Sequence, residues 1–380
     1  MSRYSNFQYD PRRALWVVGF LMPALAPLLF GLQHIGVNLW VIAVTPLALL
    51  FGVAPIIDHL IGKDTRNISN EVLLVLKHDP YYRRLLYLIV PTYALGVFCA
   101  CAIASNGQFT TAQWLLFTIG SGFVHSLIVL VAHELGHATQ KRDQQLAGFA
   151  LSLIAYGHFS LEHNMGHHVN VATPKDPASA RYGESIYGFA LREMPGIVRG
   201  AIAIEKKRLD RRGQNWWSLH NSLLKSWMAS LCILAVLVVF FGAVAIAFYA
   251  LHCVVAWFSI TMANYTAHYG LLRREVNGKR ERCGPEHSWS SSFLFSNLLF
   301  FNLQRHADHH KNAQRPFQSL AMLDNTPELP SGIPGLFCMM LVPWIWFYVM
   351  DKRLLEFVEG DLSRVNGVSN AAISENINVK

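Results

Sequence analysis

Histidines stand at the spacing of metal ligands in four short stretches of the chain. HELGH (133–137), EHNMGHH (162–168), NYTAHYG (264–270) and LQRHADHH (303–310) carry His133, His137, His163, His167, His168, His268, His306, His309 and His310. Residues four apart on an α-helix lie on one face, so two imidazoles at that spacing can bind the same ion. We expect these nine imidazoles to converge on one site.

The number of imidazoles indicates two metal ions. A single ion cannot use nine ligands, whereas two ions of four to five coordination each can. HELGH also matches the HExxH motif of zinc peptidases, in which Glu134 would be the general base. That alternative is disfavoured because a peptidase zinc needs one further ligand and seven more histidines remain.

The choice of metal rests on the expected chemistry. Neutral imidazole suits iron, zinc, copper or nickel, so the donor atoms alone do not name the ion. A two-metal, imidazole-rich site at the edge of an apolar helix bundle could meet a water-insoluble substrate from lipid and electrons from solution. We favour iron, because activation of O2 against the C–H bonds of such a substrate needs a redox metal and zinc has no redox chemistry.

Five carboxylates beside these stretches are candidate partners of the imidazoles. They are Glu134, Glu162, Asp176, Glu184 and Asp308. Each could bind a metal directly or accept the second N–H of a ligating imidazole. Glu134 follows His133 and faces about 100° away from it on a helix, which favours an orienting role or an outward salt bridge. The sequence leaves these roles open.

The remaining histidines are interpreted as hydrogen-bonded structural residues. They are His34, His59, His78, His125, His158, His220, His252 and His287. His125 lies eight residues before His133, on roughly the same helical stripe within an apolar segment. An ionisable group in such a position is often functional, and we expect His125 to line a pocket or form a hydrogen bond.

The composition is that of a polytopic membrane protein. Of 380 residues, 52% are hydrophobic and 15% charged, with a mean hydropathy of +0.27, whereas soluble domains carry about 25% charged residues. The net charge of +8 is explained by basic loops that set membrane orientation, and we expect no nucleic-acid partner. The six cysteines form no CxxC pair and are expected to be small buried hydrophobes.

Apolar segments of membrane-spanning length predict an all-α integral membrane fold of six transmembrane helices with a cytoplasmic, histidine-rich helical cap. The predicted spans are 14–32, 37–57, 85–104, 112–132 and a run at 224–265 that we divide near Gly242, since one span needs about 20 residues. Pro23, Pro27 and Pro46 lie inside spans and are expected to kink them.

The expected domain organisation follows these spans. It comprises a cytoplasmic N-terminus (1–13), a six-helix region (14–265) with a cytoplasmic loop (133–223), a cytoplasmic cap (266–355) and a C-terminal tail (356–380) that is polar and frayed from Val365. The segment 333–350 is apolar but interrupted by Pro334 and Pro343. It fits a surface or core helix better than a seventh span.

Loop charges predict the orientation. Segments 31–38 and 105–111 and the turn at Gly242 contain no Lys or Arg, whereas the loops on the opposite side are basic. The positive-inside rule places the basic loops, both termini and every histidine stretch on the cytoplasmic side. The expected location is the bacterial inner membrane.

The four histidine stretches, in this order on a six-span background, closely resemble the AlkB-type alkane 1-monooxygenases of the membrane fatty-acid desaturase/hydroxylase superfamily. The likeness extends through DPASARYGESIY, HSWSSSFLFSNL and PELPSGIPGLF, and covers about residues 55–353. One position departs from the pattern, because the family commonly has Glu immediately before the histidine of HYG and this chain has Ala267.

The resemblance implies a non-haem enzyme with two iron ions that hydroxylates the terminal carbon of medium- or long-chain alkanes. The nine histidines named above would be its iron ligands. O2 would be the oxidant, and rubredoxin, reduced by an NADH-dependent rubredoxin reductase, the electron donor. Chain length, oligomeric state and any ligand that bridges the irons stay open.

A bilayer substrate suggests an apolar channel between the spans. Trp16, Trp40, Phe51 and Phe123 are candidates for setting its depth. A basic run, namely Lys206, Lys207, Arg208, Arg211 and Arg212, could dock an acidic electron carrier or contact lipid headgroups.

Two alternatives are retained. The first is a desaturase or a hydroxylase of acyl or aromatic substrates on the same scaffold, which product analysis would separate. The second is a membrane metal transporter, which the lack of charged residues inside the spans disfavours.

Overall fold

The computed structural model describes residues 10–368, apart from the side chains of Asn70, Leu74 and Val276. Residues 1–9 of the predicted N-terminus and 369–380 of the predicted tail lie outside the described residues. Helices dominate the described chain. Helices satisfy their own backbone hydrogen bonds, as an apolar chain in a bilayer requires.

The N-terminal half contains a 3₁₀-helix at Arg13–Phe20, α1 (Leu25–His34), α2 (Leu39–Leu47), a π-helix at Ala48–Val53, α3 (Ala54–Ile61), α4 (Asn70–Leu76), α5 (Pro80–Ser105), α6 (Thr111–Ser126), α7 (Ile128–His137), α8 (Lys141–Ser152), α9 (Phe159–Glu162), a π-helix at His163–His167 and α10 (His168–Asn170).

The C-terminal half contains α11 (Ile186–Asp210), α12 (Ser222–Phe241), α13 (Val244–His268), a small antiparallel pair of β1 (Glu275–Val276) and β2 (Lys279–Arg280), α14 (Leu294–Leu299), α15 (His306–Lys311), α16 (Ile333–Met340) and α17 (Pro343–Phe357). Short 3₁₀-helices lie at Pro285–His287, Phe317–Ser319 and Leu362–Arg364.

Five helical stretches in the described chain are long and apolar enough to cross a membrane. They are Leu39–Ile61, Pro80–Ser105, Thr111–His137, Ser222–Phe241 and Val244–His268. The predicted first span is not one straight helix but a pair, Arg13–Phe20 and Leu25–His34, bent by 52°. Pro27 has no N–H to offer the carbonyl of Pro23, which weakens the helix at this bend. Six spans result if the bent pair is one span.

The span that carries HELGH is the centre of the bundle. Within its most apolar window, 83% of the residues of Thr111–His137 are buried, compared with 17% for Ser222–Phe241. Its N-terminus is fixed by a capping box in which Thr110 and Gln113 bond to each other's backbone N–H groups. The peripheral span must face lipid, whereas the central one presents its last turn to the rest of the protein.

The C-terminal part packs back on the spans. The described residues contain no long apolar span in 333–357, because the chain breaks between α16 and α17 at Val342, as the prolines predict. The expectation of a frayed tail from Val365 is wrong at its start: Val365 pairs with Leu271, and Asn366 N–H donates to Gly270 O at 2.8 Å. Both side chains are buried.

Candidate metal centre

Eight of the nine histidines form two groups of four. The first is His133, His137, His163 and His309, and the second is His167, His268, His306 and His310. Within each group one ring nitrogen of every residue lies within 4.8 Å of all the others. Each group therefore has the nitrogen arrangement of a metal site.

His168 adjoins the first group. Its Nε2 lies 3.0 Å from His163 Nε2 and 3.1 Å from His309 Nε2. In the second group, His306 Nε2 lies 3.1 Å from His268 Nε2 and 3.0 Å from His310 Nε2. All nine predicted histidines are thus brought together.

A π-helix explains how three histidines of one stretch face the same way. In an α-helix His163 and His167 would share a face, and His168 would point elsewhere. Residues His163–His167 instead adopt a π-helix, whose turn closes between residues five apart. His167 and His168 therefore both follow His163 on the inner side. Such π-turns are frequent at functional sites.

His268 is positioned by the end of the last span. It is the final residue of α13, and Gly270 follows with φ +71°, a left-handed conformation that favours glycine. A Cβ at Gly270 would collide with the side chain of Leu354. The His268 Nδ1 lies 3.4 Å from the carbonyl oxygen of His287, which leaves Nε2 for the centre.

The third histidine stretch is anchored by its own polar residues. The buried Arg305 guanidinium donates to the carbonyls of Asp64 and Leu320, both at 2.8 Å. Gln304 donates to Ser296 Oγ at 2.9 Å and accepts from Ile333 N at 2.7 Å. These bonds fix the turn before α15 and direct its histidines inward.

Burial favours the neutral imidazole, which is the form that binds metals, at five positions of the centre outside the spans, namely His163, His168, His306, His309 and His310. Burial, together with the neighbouring histidines, lowers the pKa of His163, His309 and His310 well below the usual value. The same causes lower the pKa of His168 to about 2 and that of His306 to about 3. Within each group, neighbouring ring nitrogens lie 2.9–3.2 Å apart, and two such groups with free lone pairs fit a pair of metal ions.

One of the five predicted carboxylates contacts an imidazole of the centre. Asp176 Oδ2 lies 2.9 Å from His167 Nδ1 and accepts from Ser179 Oγ at 2.6 Å. Burial lowers the pKa of His167, but the charge and hydrogen bond of Asp176 outweigh it and the pKa is raised. This contact fixes the His167 tautomer and leaves its Nε2 free.

The other four carboxylates have different partners. Glu134 accepts from Phe317 N at 3.2 Å, Glu184 pairs with Arg192 at 2.7 Å, and Asp308 pairs with Arg315 at 2.8 Å. Glu162 packs against Gly166 and Gly200, and burial raises its pKa to about 7.

Sequence reasoning missed a sixth carboxylate, Glu193. It lies in α11, is fully buried, and accepts from Thr261 Oγ1 at 2.7 Å and Asn264 Nδ2 at 2.9 Å, both on α13. The only sequence signal was a charged residue among apolar neighbours in a segment of mixed composition, which is too common to single it out.

Within the described chain, seven of the eight histidines interpreted as structural are not among the contacts of the centre, whereas the backbone carbonyl of His287 lies 3.4 Å from His268 Nδ1. His125 Nδ1 and His252 Nε2 form a buried pair at 3.0 Å between α6 and α13, in agreement with a hydrogen-bonding role. His158 packs against Tyr156 and Trp257. Four others are exposed, namely His34, His59, His78 and His220.

Comparison with known proteins decides the family. The fatty acid desaturase family model matches residues 109–338. An alkane 1-monooxygenase of Alcanivorax borkumensis is 38% identical over 94% of this chain and 88% of its own, and one of Pseudomonas putida is 37% identical over 94% and 89%. One of Acinetobacter baylyi is 36% identical over 94% and 89%.

The chain belongs to the alkane 1-monooxygenase family. It is therefore an oxidoreductase of the monooxygenase class, and the resemblance noted from the histidine stretches is confirmed. The family assignment covers almost the whole length of the chain.

This alkane 1-monooxygenase homologue has an apolar cavity beside the histidines. Its empty space, including the part open to solvent, is about 770 Å³, and His133, His163 and His306 form part of its wall. Leu130, Ile260 and Phe337 are among its apolar wall residues.

The structure replaces the predicted depth residues. Trp16, Trp40, Phe51 and Phe123 do not line the cavity in the described chain. Trp16 is buried and donates to Asp10, and Trp40 is half exposed. Phe51 and Phe123 pack on each other with ring centroids 4.9 Å apart, and Phe51 also contacts the wall residue Phe337. Ala267 lines the cavity directly.

A second, more polar cavity also reaches the centre. Its empty space, including the part open to solvent, is about 1180 Å³, and its lining includes Glu134, His137, Lys77, Arg83 and Arg315. Histidines of the centre of this monooxygenase family member thus line both an apolar and a polar cavity.

Proposed function

We propose that the protein hydroxylates the terminal carbon of medium- or long-chain n-alkanes at a non-haem di-iron centre. The reaction joins R–CH3, O2, two electrons and two protons to give R–CH2OH and water. The observation that carries this proposal is the double imidazole cluster in the wall of an apolar cavity. The names of the relatives, alkane 1-monooxygenases, support the substrate class.

The nine histidines would hold the two irons as five and four ligands. His133, His137, His163, His168 and His309 form the first set, and His167, His268, His306 and His310 form the second. When bound, the iron pair supplies the redox chemistry that activates O2 for insertion into the C–H bond. Asp176 orients the His167 ring and raises its basicity.

The cavity side chains position the substrate. Leu130, Ile260 and Phe337 exclude water and confine an unbranched chain, with its methyl end toward His133 and His306. Burial of methylenes contributes little net affinity, because the bilayer offers the same apolar surroundings. The protein's contribution is orientation of one end against the centre.

An acyl substrate is less well supported. Apart from histidine, the residues lining the apolar cavity in the described chain carry no charge, so nothing there would pair with a carboxylate. Aromatic substrates on the same scaffold remain the second candidate and are included in the test below. A transporter would require charged groups inside the spans.

The enzyme would lie in the bacterial inner membrane with both termini and the histidine centre on the cytoplasmic side. The basic loops on that side support this orientation. Protease protection of a C-terminal tag in sealed vesicles tests it.

The test of the function combines metal analysis with product identification. Purified protein should contain two irons per chain and convert octane to 1-octanol with reduced rubredoxin as electron donor. Hexadecane, a fatty acid and toluene complete the substrate panel. Octane that stays unconverted while the fatty acid or toluene is oxidised would reject the alkane assignment.

The polar cavity is the proposed docking side for an acidic carrier, rubredoxin in this family. Lys77 is exposed at its rim. In the predicted basic run, Arg208 pairs with Glu205 at 2.6 Å, and Lys206 lies about 20 Å along α11 from the buried Glu193. The rim of the polar cavity is therefore better placed than that run.

We expect Lys77→Glu to raise the KM for reduced rubredoxin about fivefold and to weaken its salt dependence, since a rim charge acts mainly on encounter. Steady-state kinetics at two ionic strengths measure both effects. Lys206→Glu makes the same charge change on α11 and is the control, with little effect expected. An equal rise in both variants would argue against docking at the polar cavity.

We expect Asp176→Ala to weaken iron retention by about 10- to 100-fold, because the His167 ring loses its orienting acceptor. Iron content after dialysis against a graded chelator series measures the change. Asp210→Ala removes an exposed carboxylate at the end of α11 and serves as the control. Wild-type iron retention in Asp176→Ala would show that the Asp176 contact is dispensable.

A further inference from the structure

One amide side chain interrupts the apolar wall that α13 contributes to the cavity. The cavity residues of this helix are Ser259, Ile260, Ala263, Asn264, Thr266 and Ala267. Asn264 precedes His268 by one turn on the same helical face, which corresponds to about 6 Å along the axis. The amide is therefore close to the metal centre but is not among its nitrogen groups.

The orientation of this amide is fixed by Glu193. Asn264 Nδ2 donates to Glu193 Oε1 at 2.9 Å, and Thr261 Oγ1 donates to Glu193 Oε2 at 2.7 Å. The NH2 group of the amide thus faces the Glu193 carboxyl group. The carbonyl oxygen Oδ1 is then directed away from Glu193, and Asn264 lines the cavity.

The side-chain hydrogen bonds of Glu193 in the described chain all come from α13, and its charge also contributes to the raised pKa of His167. It is fully buried, takes part in no ion pair there, and its hydrogen bonds come from these two α13 side chains. Burial raises its pKa to about 7. A buried carboxylate without a cation is unfavourable for stability, which suggests that its value lies in holding Asn264.

The hydroxyl and amide groups elsewhere in the wall are already engaged. Ser126 Oγ bonds to the carbonyl of Phe123 at 2.7 Å and to Ser259 Oγ at 2.8 Å. Both ends of the Gln304 amide bond to protein partners. Within the described residues no protein donor bonds to Asn264 Oδ1, so the cavity offers an oriented acceptor at this point.

We infer that Asn264, held by Glu193, is the binding site for the hydroxyl group of the primary alcohol product. This inference rests on the proposed function. A methyl end has no donor and gains nothing from Oδ1, whereas the O–H of an alcohol can donate to it. A site with an oriented hydrogen-bonding group discriminates between an alcohol and the corresponding alkane far better than an apolar pocket does.

The consequence is a defined path for the product away from the centre. A hydroxyl moving into a wholly apolar cavity would lose its hydrogen bonds. The side-chain carbonyl of Asn264, which lies one helical turn from His268, replaces one of these lost hydrogen bonds. The same contact makes the alcohol a competitor of incoming alkane.

The test compares alcohol and alkane in the complete, iron-loaded enzyme. For Asn264→Leu we expect the ratio of the 1-octanol inhibition constant to the octane KM to rise about fivefold. This factor corresponds to the loss of one neutral hydrogen bond between the alcohol and the protein. Calorimetric titration of 1-octanol into nanodisc-embedded enzyme, corrected for empty nanodiscs, should show the same weakening without turnover. Asn106→Leu removes an exposed asparagine after α5 and should leave both measurements unchanged.

A pair of Glu193 variants separates binding from folding. Glu193→Gln retains an acceptor for Asn264 Nδ2 and should keep 1-octanol binding near the wild-type value. Glu193→Leu frees the amide and should weaken binding, although Asn264 itself is intact. This pair decides the question if Asn264→Leu fails to retain iron.

Two results would overturn the inference. One is an unchanged alcohol-to-alkane ratio in Asn264→Leu, and the other is equal behaviour of Glu193→Gln and Glu193→Leu. Failure of the proposed function looks different, because the wild-type enzyme would then form no 1-octanol from octane.

Discussion

His309→Ala is expected to abolish alkane hydroxylation, with a fall in turnover of about a thousandfold or more. The His309 Nε2 lies 2.9 Å from His133 Nε2 and 3.1 Å from His168 Nε2, at the middle of the first nitrogen group. Its removal would take one nitrogen from the group that we propose to hold one iron. A bound metal ion stabilises the charge that develops in the transition state by several kcal/mol, and losing that contribution corresponds to a fall in rate of about a thousandfold.

Iron content and 1-octanol formation should be measured together on this variant. We expect the iron per chain to fall from two toward one, since the second group of four histidines is untouched. His220→Ala removes an exposed histidine and is the matched control, with iron and turnover expected at wild-type values. Two irons and full turnover in His309→Ala would remove His309 from the ligand set.

His168→Ala refines the same experiment. His168 adjoins the first group without belonging to the group of four. A loss of iron equal to that in His309→Ala would establish it as a fifth ligand. Iron retained at two per chain would assign it a supporting position beside four ligands.

Ala267→Phe is expected to lower octane turnover by about 100-fold while both irons are retained. Ala267 lines the apolar cavity on α13, immediately before His268. A phenyl ring there occupies space that the substrate end needs, and displacement of a substrate by about 1 Å can reduce a rate by this factor. Ala267 contributes no nitrogen ligand, and its carbonyl bond to Trp289 N is preserved.

The control for this variant lies on the same helix. Ala250→Phe adds the same ring at an exposed position of α13 and should leave octane turnover unchanged. Turnover and iron content at wild-type values in Ala267→Phe would mean that alkane reaches the centre by another route. A shorter probe, butane, should regain turnover in Ala267→Phe if the ring acts only by filling space.

The location of the chemistry could be predicted from local sequence, because helical spacing is a local property. HELGH at the end of an apolar run already implies two imidazoles on one face at a membrane boundary. The apolar helical spans could also be predicted from local sequence, because the thickness of the bilayer's hydrocarbon core fixes their length. The first predicted span differs from a single helix, because it is bent near Pro27. The missing N–H of this proline accounts for the bend.

The partners of each side chain could not be predicted in this way. Nothing in the sequence favoured any one of the five candidate carboxylates over the others. In the packed structure, Asp176 is the one among them that contacts an imidazole of the centre. Glu193 was missed because its two partners lie about 70 residues away on α13. The four aromatic candidates for cavity depth lie elsewhere, and Phe337, from a segment interpreted only as a surface or core helix, lines the wall.

The sequence by itself determined the donor atoms, their helical spacing and the apolar segments that place them at a membrane boundary, since these depend on neighbours within a few residues. The tertiary structure alone decided the division of the histidines into two groups, the π-helix that turns His168 inward and the cavity that reaches them. The two groups and the cavity depend on contacts between distant segments, such as those of His133 with His309 and of His167 with His310. Only the packing of the complete chain specifies which of many compatible surfaces meet.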